Sequence, residues 1–510
     1  MLISGFEKEK GCGWVKHLPA ALAIQTAALT AMAANPSYHV GPITNVAVAR
    51  AMASVEQAIP RAEADPTRPI YHFHAPAMWM NDPNGPVYHQ GAYHMFYQFN
   101  PYGDSWGQMH WGHARSRDLV HWQHLPIALW PSEELGEEHV FSVCTVFPRQ
   151  GPPMIFYTSI ARGKPAETYA EQWAALGDKD LVTWHKHPCN PILTEQLHDG
   201  VKVYDWRDPF VFQNKGVTYM VLGGNLNQRA GGQAVVNLYR AENDQLTRWK
   251  YQGVLFTHPN PKVVNIECPN FFKLGDRWVL VVSPHGPVEY FVGDFDPAAG
   301  KFNARHAAVL DQGDNYYAPN SLDHRGRRIM WGWVKGFKPD RGWDGCLTLP
   351  RVLTLDAQNV LLQKPAQELK RLRTEHFRLS DLPLDHLHEL SGLRGECLEL
   401  YLELELFQAA AVQIQVRRST DGSRFVPINF DGTDLDVAGT KVPFLLRAGE
   451  RTLKLHLFLD KSVLELFAND RACATRVIYP PETDLGIALT AFAGTARIRS
   501  LHAWKVRSIW

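Results

Sequence analysis

A five-residue pattern, Asp118-Leu119-Val120-His121-Trp122, recurs later in the chain as Asp180-Leu181-Val182-Thr183-Trp184. A looser copy follows at Asp244-Gln245-Leu246-Thr247-Arg248-Trp249, so the three tryptophans are spaced by 62 and then 65 residues. A repeat of this length accommodates one four-stranded sheet, the unit that β-propellers arrange around an axis. The surrounding region of about 290 residues has room for about five such sheets. The repeat therefore predicts a five-bladed β-propeller.

The sequence on either side of the repeat predicts an all-β fold. From about residue 70, short apolar and aromatic runs alternate with Gly, Pro, Asn and Asp clusters, which indicates many short strands. Near the C-terminus, leucines alternate with polar residues over 398–406, which is typical of sandwich strands that bury one face. Apolar residues at helical spacing over 45–59 predict a helix that Pro60 ends. The predicted organisation is an N-terminal extension (1–68), a propeller (69–356), a connector (357–385) and a C-terminal β-sandwich (386–510).

The N-terminal segment is open to two interpretations. The stretch 18–34 carries no charge, ends in small residues and follows several lysines, which is typical of a signal peptide. Glu7 and Glu9 dilute the positive region, and the stretch is rich in alanine, which favours a retained helix. At about 17 residues it is too short for a stable membrane insertion. Cleavage within 1–34 would imply a secreted or periplasmic protein, whereas seven scattered cysteines without a C-x-x-C pair favour the cytoplasm.

The balance of positive and negative charges indicates which classes of partner the protein can be expected to bind. Lys plus Arg and Asp plus Glu both number 52, so the chain has no electrostatic reason to bind nucleic acid or an anionic membrane. A neutral substrate is compatible with this balance. The chain also contains 16 Trp, 17 Tyr and 24 Phe, whose rings can stack on sugars, although most of them are expected to fill β-rich cores.

Three acidic residues stand in specific surroundings. Asp82 lies in the heptapeptide 79–85 (W-M-N-D-P-N-G), Asp208 in 206–209 (W-R-D-P) and Glu267 in 266–269 (I-E-C-P). Each lies beside a strand-like run and shortly before a proline, where backbone geometry is restricted. Taken singly, each is compatible with an ordinary turn. Their separations place them on different blades, and the three together favour a shared catalytic site.

These motifs resemble those of glycoside hydrolase family 32, which includes invertases, inulinases and levanases. The signatures W-M-N-D-P-N-G, R-D-P and E-C occur here in the order of the family. The flanking segments 97–101, 106–113, 141–142 and 343–351 also match, so the resemblance covers about residues 70–356. The segment 460–467 resembles a sandwich strand of the family. The N-terminal 65 residues lie outside the resemblance.

The resemblance implies a role for each residue of the site. It makes Asp82 the nucleophile, Glu267 the general acid/base and Asp208 a stabiliser of the transition state. It also implies a pocket for a terminal fructosyl unit of sucrose or a fructan such as inulin or levan. The residues expected to line that pocket are Asn81, Gln98, Trp106, Phe141, Ser142 and Arg207. Two positions differ from the family, because Val143 follows the Phe-Ser pair and Asn315 replaces the aspartate of a D-F-Y-A segment.

The chemistry of glycosidic cleavage agrees with these roles. Two carboxyls about 5–5.5 Å apart cleave the bond with retention through a covalent intermediate. One of them must be ionised while the other holds a proton. Because Arg207 is adjacent to Asp208 in sequence, we expect it to keep Asp208 ionised, and an ionised Asp208 to help keep Glu267 protonated.

Other functions fit the sequence less well. His110 and His113 lie three residues apart, but no H-E-x-x-H or metal-spaced carboxylate set accompanies them, so no metal or other cofactor is predicted. No G-x-S-x-G motif supports a serine nucleophile. A non-catalytic carbohydrate-binding propeller would be expected to have lost a catalytic carboxylate, and all three are present. A fructosyltransferase would use the same intermediate, so the sequence leaves that alternative open, along with endo cleavage and the choice of substrate.

Overall fold

The computed structural model describes residues 43, 45–226 and 233–510. Within these ranges one α-helix precedes a series of β-strands that form five small sheets and one large sheet. In the described part of the chain, three 3₁₀ helices lie in the connections, at Glu133–Leu135, Glu195–His198 and Gln367–Leu372. None of the helices in the described ranges has the length and apolar character needed to span a membrane. The stretch 18–34, with its two alternative interpretations, lies outside the described residues.

Helix α1 (Val46–Glu63) is amphipathic, as the spacing of its apolar residues predicts. The Asn45 side chain caps its first turn by accepting a 3.1 Å hydrogen bond from the Val48 backbone N–H. The prediction that Pro60 ends the helix is wrong, because the helix continues to Glu63. A proline so close to the end removes only one backbone hydrogen bond, and the buried Ala62 holds the last turn against the protein.

The strands up to residue 365 form five antiparallel sheets in chain order, which are the blades of the predicted propeller. Blade 1 contains β1 (Met78–His89), β2 (Ala92–Asn100), β3 (His110–Ser116) and β4 (Trp122–Leu129). Blade 2 contains β5 (Glu137–Val146), β6 (Met154–Ala161), β7 (Glu171–Gly177) and β8 (Trp184–Lys186). Blade 3 contains β9 (Tyr204–Asn214), β10 (Val217–Asn225), β11 (Ala234–Ala241) and β12 (Trp249–Thr257).

The last two blades and the closing strand complete the ring. Blade 4 contains β13 (Glu267–Leu274), β14 (Arg277–Ser283), β15 (Glu289–Asp296) and β16 (Lys301–Val309). Blade 5 begins with β17 (Tyr316–His324) and β18 (Arg327–Val334). The short strand β19 (Trp343–Asp344) then pairs in parallel with β1 of blade 1. Blade 5 is completed by β20 (Cys346–Leu347), β21 (Arg351–Leu355) and β22 (Leu361–Pro365).

The first strand of each blade faces the propeller axis. Strands β1, β5, β9, β13 and β17 each contact the next one around the ring, and β17 returns to contact β1. Because β19 pairs with β1, the chain after β18 is hydrogen-bonded to blade 1. This pairing ties the two ends of the ring together and fixes the five first strands around one axis.

The sequence repeat forms the turn before the fourth strand of blades 1, 2 and 3. In the first copy, Leu119 adopts a left-handed conformation (φ 71°) and its carbonyl accepts a 3.2 Å hydrogen bond from Trp122 Nε1. The other two copies repeat this turn with Leu181 and Trp184 and with Leu246 and Trp249, at 2.8 Å in both cases. The tryptophan thus covers the turn and anchors the outer strand, which explains why the pattern recurs in these three blades.

The C-terminal strands form a second domain of the sandwich type. Its strands are β23 (Arg373–Leu384), β24 (His388–Glu389), β25 (Cys397–Arg418), β26 (Val426–Phe430), β27 (Asp434–Val437), β28 (Thr440–Pro443), β29 (Thr452–Asp460), β30 (Val463–Ala468), β31 (Ala472–Val477) and β32 (Gly486–Val506). The long strands β25 and β32 pair with each other and contribute to one leucine-rich core. The leucines at even positions of 398–404 are buried there, as their alternation predicts.

The segment 357–385, which the sequence suggests is a connector, contains regular structure. Its first part forms the last strand of blade 5, β22. Its second part forms β23, which pairs with β32 of the sandwich. Most residues of β23 are exposed, but Phe377, Leu379 and Leu382 pack against the leucine-rich core. Their alternation is interrupted at Asp381, which has a positive φ of 54°, so the strand does not show the unbroken period-two pattern by which a half-buried strand is predicted.

A buried ionic network joins the propeller to the sandwich. The His72 ring lies 2.9 Å from Asp460 Oδ2 on one side and 3.0 Å from Glu465 Oε1 on the other, and all three side chains are fully buried. Arg351 Nη2 donates to Glu465 Oε2 at 2.6 Å, and Arg351 Nη1 lies 2.8 Å from Asp311 Oδ2. Because each charge has an opposite partner, the two domains pack through polar groups without an isolated buried charge.

Candidate active site

The first strands of the five blades are irregular at corresponding positions. The pairing register of each with its second strand includes a shift between residues 80 and 83, 140 and 143, 207 and 210, 267 and 270, and 317 and 320. Four of these irregularities contain a proline, namely Pro83, Pro209, Pro269 and Pro319. Proline cannot donate to the ladder, and a bulge redirects the side chains next to it. Each first strand can therefore turn polar side chains towards one end of the axis.

The three predicted carboxylates meet around Cys268. The Cys268 thiol lies 3.4 Å from Asp82 Oδ2, and the Cys268 backbone N–H donates to Asp208 Oδ2 at 2.8 Å. Glu267 is the preceding residue on the same strand. Asp208 and Cys268 both have positive φ values, 67° and 47°, which locates the bulges at the carboxylates themselves. The structure thus brings Asp82, Asp208 and Glu267 together from blades 1, 3 and 4.

Asp82 is held by hydrogen bonds from two sides. Asn81 Nδ2 donates to its Oδ1 at 3.0 Å, and Ser142 Oγ donates to its Oδ2 at 2.8 Å. Trp79 Nε1 donates to Asn81 Oδ1 at 2.9 Å, which fixes the amide with its nitrogen towards Asp82. The carboxylate is therefore oriented before any substrate binds, as a nucleophile requires.

Arg207 forms ion pairs with Glu267 and Asp205. Its Nη2 donates to Glu267 Oε1 at 2.7 Å, and its Nη1 donates to Asp205 Oδ1 at 3.0 Å. The sequence predicts that Arg207 keeps Asp208 ionised, but the guanidinium binds Glu267 and Asp205. Consecutive residues of a strand point to opposite sides, and the bulge at Asp208 turns its carboxylate towards Cys268. Arg207 is buried, so its cation acts strongly on Glu267.

The protonation of the free site follows from these contacts. Burial raises the pKa of Asp82 to about 6, although the hydrogen bonds from Ser142 and Asn81 oppose this shift. Burial likewise raises the pKa of Asp208 to about 7, in spite of the nearby Arg207 charge. Burial also acts to raise the pKa of Glu267, but the His285 hydrogen bond and Arg207 outweigh it and hold this pKa well below its ordinary value. In the free site Glu267 is therefore the carboxyl that ionises first, which is the reverse of what the sequence suggests.

Two residues of the site are absent from the sequence-based set. Tyr317 OH donates to Glu267 Oε2 at 2.7 Å, and His285 Nε2 lies 3.2 Å from the same oxygen. Tyr317 could have been found, because it stands two residues before Pro319 on β17, as Glu267 stands two residues before Pro269 on β13. His285 lies in a loop after β14, and no spacing in the sequence relates it to the site.

The remaining predicted pocket residues differ in depth: Gln98 is buried, whereas Trp106 is exposed. Gln98 is buried near Asp82, where its Nε2 donates to the Val140 carbonyl at 3.1 Å and to Ser142 Oγ at 3.4 Å. Trp106 is 55% exposed, and its ring lies 5.1 Å from His139 and 6.4 Å from Phe141 between centroids. Gln98 thus supports Ser142 from below, and Trp106 with Phe141 forms an aromatic group with an open face.

Asn315, which stands where the family has an aspartate, uses its side-chain amide for contacts other than the three carboxylates. Its Nδ2 donates to the Lys335 carbonyl at 2.8 Å, and its Oδ1 accepts from the Val477 backbone N–H at 3.0 Å. The amide therefore links blade 5 to the sandwich. An aspartate here could accept from Val477 but could not donate to the Lys335 carbonyl.

The histidines considered as metal ligands are engaged elsewhere. His110 Nδ1 is hydrogen-bonded to the Gln108 carbonyl, and the buried His113 stacks on Phe96 and contacts His94. Among the described residues, one group has donor atoms close enough for a shared cation, namely Asp385, His386 and His388. This group lies between β23 and β24 of the sandwich and takes no part in the carboxylate site.

Comparisons with known proteins identify both domains. The family model "Glycosyl hydrolases family 32 N-terminal domain" matches residues 72–365, and "Glycosyl hydrolases family 32 C terminal" matches residues 368–505. A levanase of Bacillus subtilis is 31% identical over 503 residues, covering 87% of this chain and 71% of the levanase. A sucrose-6-phosphate hydrolase of Escherichia coli is 30% identical over 474 residues, covering 86% and 94%. A β-fructofuranosidase structure from Bombyx mori superposes with a TM-score of 0.78 at 26% identity, covering 92% and 99%.

Proposed function

This chain belongs to glycosyl hydrolase family 32 and is a hydrolase of the β-fructofuranosidase type that acts on sucrose or fructans, and from that premise we propose a retaining mechanism with Asp82 as nucleophile. The observation that supports it is the convergence of Asp82, Asp208 and Glu267 around Cys268. One face of the site offers an oriented carboxylate, and Glu267 offers a second carboxyl beside it. A retaining glycosidase uses two carboxyl groups of this kind, one as nucleophile and one as acid/base.

In the first step, Asp82 attacks the anomeric carbon C2 of the fructosyl unit. Glu267 gives a proton to the glycosidic oxygen as the C2–O bond breaks, so the leaving group departs as an alcohol. In the second step, water attacks C2 while Glu267 accepts its proton, and Asp82 is released. Two inversions at the same carbon leave the β-configuration of fructose unchanged.

Substrate binding must change the protonation of the site. In the free site Arg207 holds Glu267 as a carboxylate, and Asp208 keeps a proton to a higher pH than an ordinary aspartate. Sugar hydroxyls can donate to Asp208 in place of water, which favours its ionised form. An ionised Asp208 next to the sugar ring would stabilise the positive charge that develops in the transition state and would favour the protonated form of Glu267.

We place the terminal fructosyl unit against Asn81, Gln98, Ser142 and Arg207, with Trp106 and Phe141 at its edge. We expect the buried side chains of Asn81, Gln98, Ser142 and Arg207 to close one end of the pocket and the half-exposed tryptophan ring to offer a face for stacking. A pocket closed at one end accepts chain ends, so the enzyme should release fructose one unit at a time.

The test is a product analysis on sucrose, inulin and levan, with Asp82→Asn as an inactive control. The proposal expects fructose as the first product, released as β-fructofuranose when fresh hydrolysis is followed by NMR. Initial α-fructofuranose would contradict retention, and early oligosaccharides from inulin or levan would contradict terminal cleavage. Growth of fructosyl oligomers on sucrose in place of free fructose would identify a transferase.

A further inference from the structure

His285 lies at the open side of the site, beside the acid/base residue. Its Nε2 is 3.2 Å from Glu267 Oε2, the oxygen to which Tyr317 also donates. The imidazole is 41% exposed, whereas the carboxyl of Glu267 is 22% exposed. The His285 imidazole, which can titrate, therefore contacts Oε2 of Glu267, whereas Arg207 binds Oε1.

The backbone around His285 is built to hold this contact. His285 adopts a left-handed conformation (φ 60°), which costs energy for a residue other than glycine. Its backbone N–H donates to Tyr317 OH at 3.0 Å. Such strained positions persist where the surroundings hold them and are common at functional sites. The same tyrosine hydroxyl thus fixes both the imidazole and the carboxyl.

The charges around the pair favour a proton on the imidazole. The titratable and charged groups near Glu267 and His285 are Asp82 on β1, Asp205, Arg207 and Asp208 on β9, Cys268 on β13, Tyr317 on β17 and Lys335 after β18. Arg207 occupies Oε1 of Glu267 and stabilises its carboxylate form. The hydrogen bond to Glu267 raises the pKa of His285 above its ordinary value, against the effect of burial.

We propose that His285 and Glu267 share the proton that the leaving group receives, which makes His285 a positioning residue that controls the acid/base group. This inference rests on the proposed function. With one proton on the pair, Glu267 passes it to the glycosidic oxygen, which takes the electrons of the C2–O bond as Asp82 bonds to C2. The pair is left as a carboxylate and a neutral imidazole. The attacking water then returns one proton to the pair as its oxygen replaces Asp82 on C2.

The test compares the pH dependence of kcat/KM on sucrose for the wild type and His285→Gln. In the wild type, activity should fall at high pH only when the imidazole loses the last proton of the pair. In His285→Gln the proton rests on Glu267 alone, next to Arg207. The fall in activity at high pH should therefore move to lower pH by about two units, the difference between an ordinary imidazole and an ordinary carboxyl.

Two controls separate this role from a structural one. Tyr317→Phe removes a hydrogen bond to the same oxygen but keeps the imidazole, so its fall in activity should stay at the same pH or move higher. An aryl β-fructofuranoside with a good leaving group needs no proton in the first step. With that substrate, His285→Gln and the wild type should lose activity at the same high pH.

The inference is overturned if the high-pH fall on sucrose stays in place or moves upward in His285→Gln. His285→Asn gives the same test if the glutamine variant does not fold. A wild-type protein that releases fructose from neither substrate would refute the proposed function itself, whereas an active wild type with an unshifted variant would refute only the role of His285.

Discussion

Replacing His72 by glutamine should weaken the contact between the two domains in a pH-dependent way. His72 is fully buried, with Asp460 on one ring nitrogen and Glu465 on the other. An imidazole can donate to both carboxylates at once only when it is protonated. Glutamine can occupy the space and donate to one carboxylate, but it carries no charge.

The size of the effect follows from the protonation of His72. Burial opposes the charged form, but the hydrogen bonds from His72 to Asp460 and Glu465 outweigh burial and raise the pKa of His72 from 6.5 to about 9. Each pKa unit corresponds to about 1.4 kcal/mol, so the protonated ring contributes roughly 3 kcal/mol to stability. Because the folded-state pKa is the raised one, this contribution is complete below about pH 6.5 and is lost as the pH rises through about 9.

Urea unfolding followed by tryptophan fluorescence measures this contribution. Wild type and His72→Gln are compared between about pH 6 and about pH 10, where the stability difference should shrink by roughly 3 kcal/mol. Taking the difference removes the titration of groups that both proteins share. The exposed His185→Gln serves as the control and should show no such trend.

A stability difference between wild type and His72→Gln that stays constant across this pH range would refute the reasoning. It would mean that His72 has the same protonation state in the folded and unfolded chains. A difference that grows with pH would show that the ring is neutral when folded at low pH and that the two carboxylates are satisfied by other donors.

Two further variants test the site and its support. Trp106→Ala removes an aromatic face from the pocket edge and should raise KM by about 3- to 10-fold with little change in kcat, as expected for a lost stacking contact; an unchanged KM on sucrose and inulin would remove Trp106 from the substrate site. Gly223→Ala places a Cβ 2.0 Å from the Ile266 carbonyl, directly before Glu267, and should lower kcat by about 100-fold through displacement of the acid/base residue. Gly293→Ala has an equal clash with the Asn303 carbonyl in the outer strands of blade 4, so it should lose stability but keep its turnover per folded molecule; equal losses of turnover in both variants would contradict the positional argument.

The local pattern of the sequence determined the architecture. The turn that contains Trp122 recurs in blades 1, 2 and 3 because the same tryptophan contact covers the last turn of each, and the contacts of that turn lie within a few residues. Leucine alternation predicted the sandwich strands because one face of each is buried. Strand β23 was not predicted because an irregular position at Asp381 interrupts its short apolar alternation. The end of α1 was misplaced because Pro60 lies near the end of the helix, where its missing N–H donor matters little.

The candidate site was only partly determined in this way. The carboxylates Asp82, Asp208 and Glu267 were predicted from their motifs, and the bulges at the following prolines bring them together. The ion-pair partners of Arg207 were not predicted, because the bulge at Asp208 determines the direction in which each side chain points. His285 joins the site only through a loop from β14, and His72 meets Asp460 and Glu465 across nearly 400 positions of chain. Local backbone geometry is determined by neighbouring residues, so the sequence predicts it. The pairing of charges, and with it the protonation of each group, depends on distant side chains. Only the closed propeller ring and the packed sandwich bring those side chains within a few ångströms of each other.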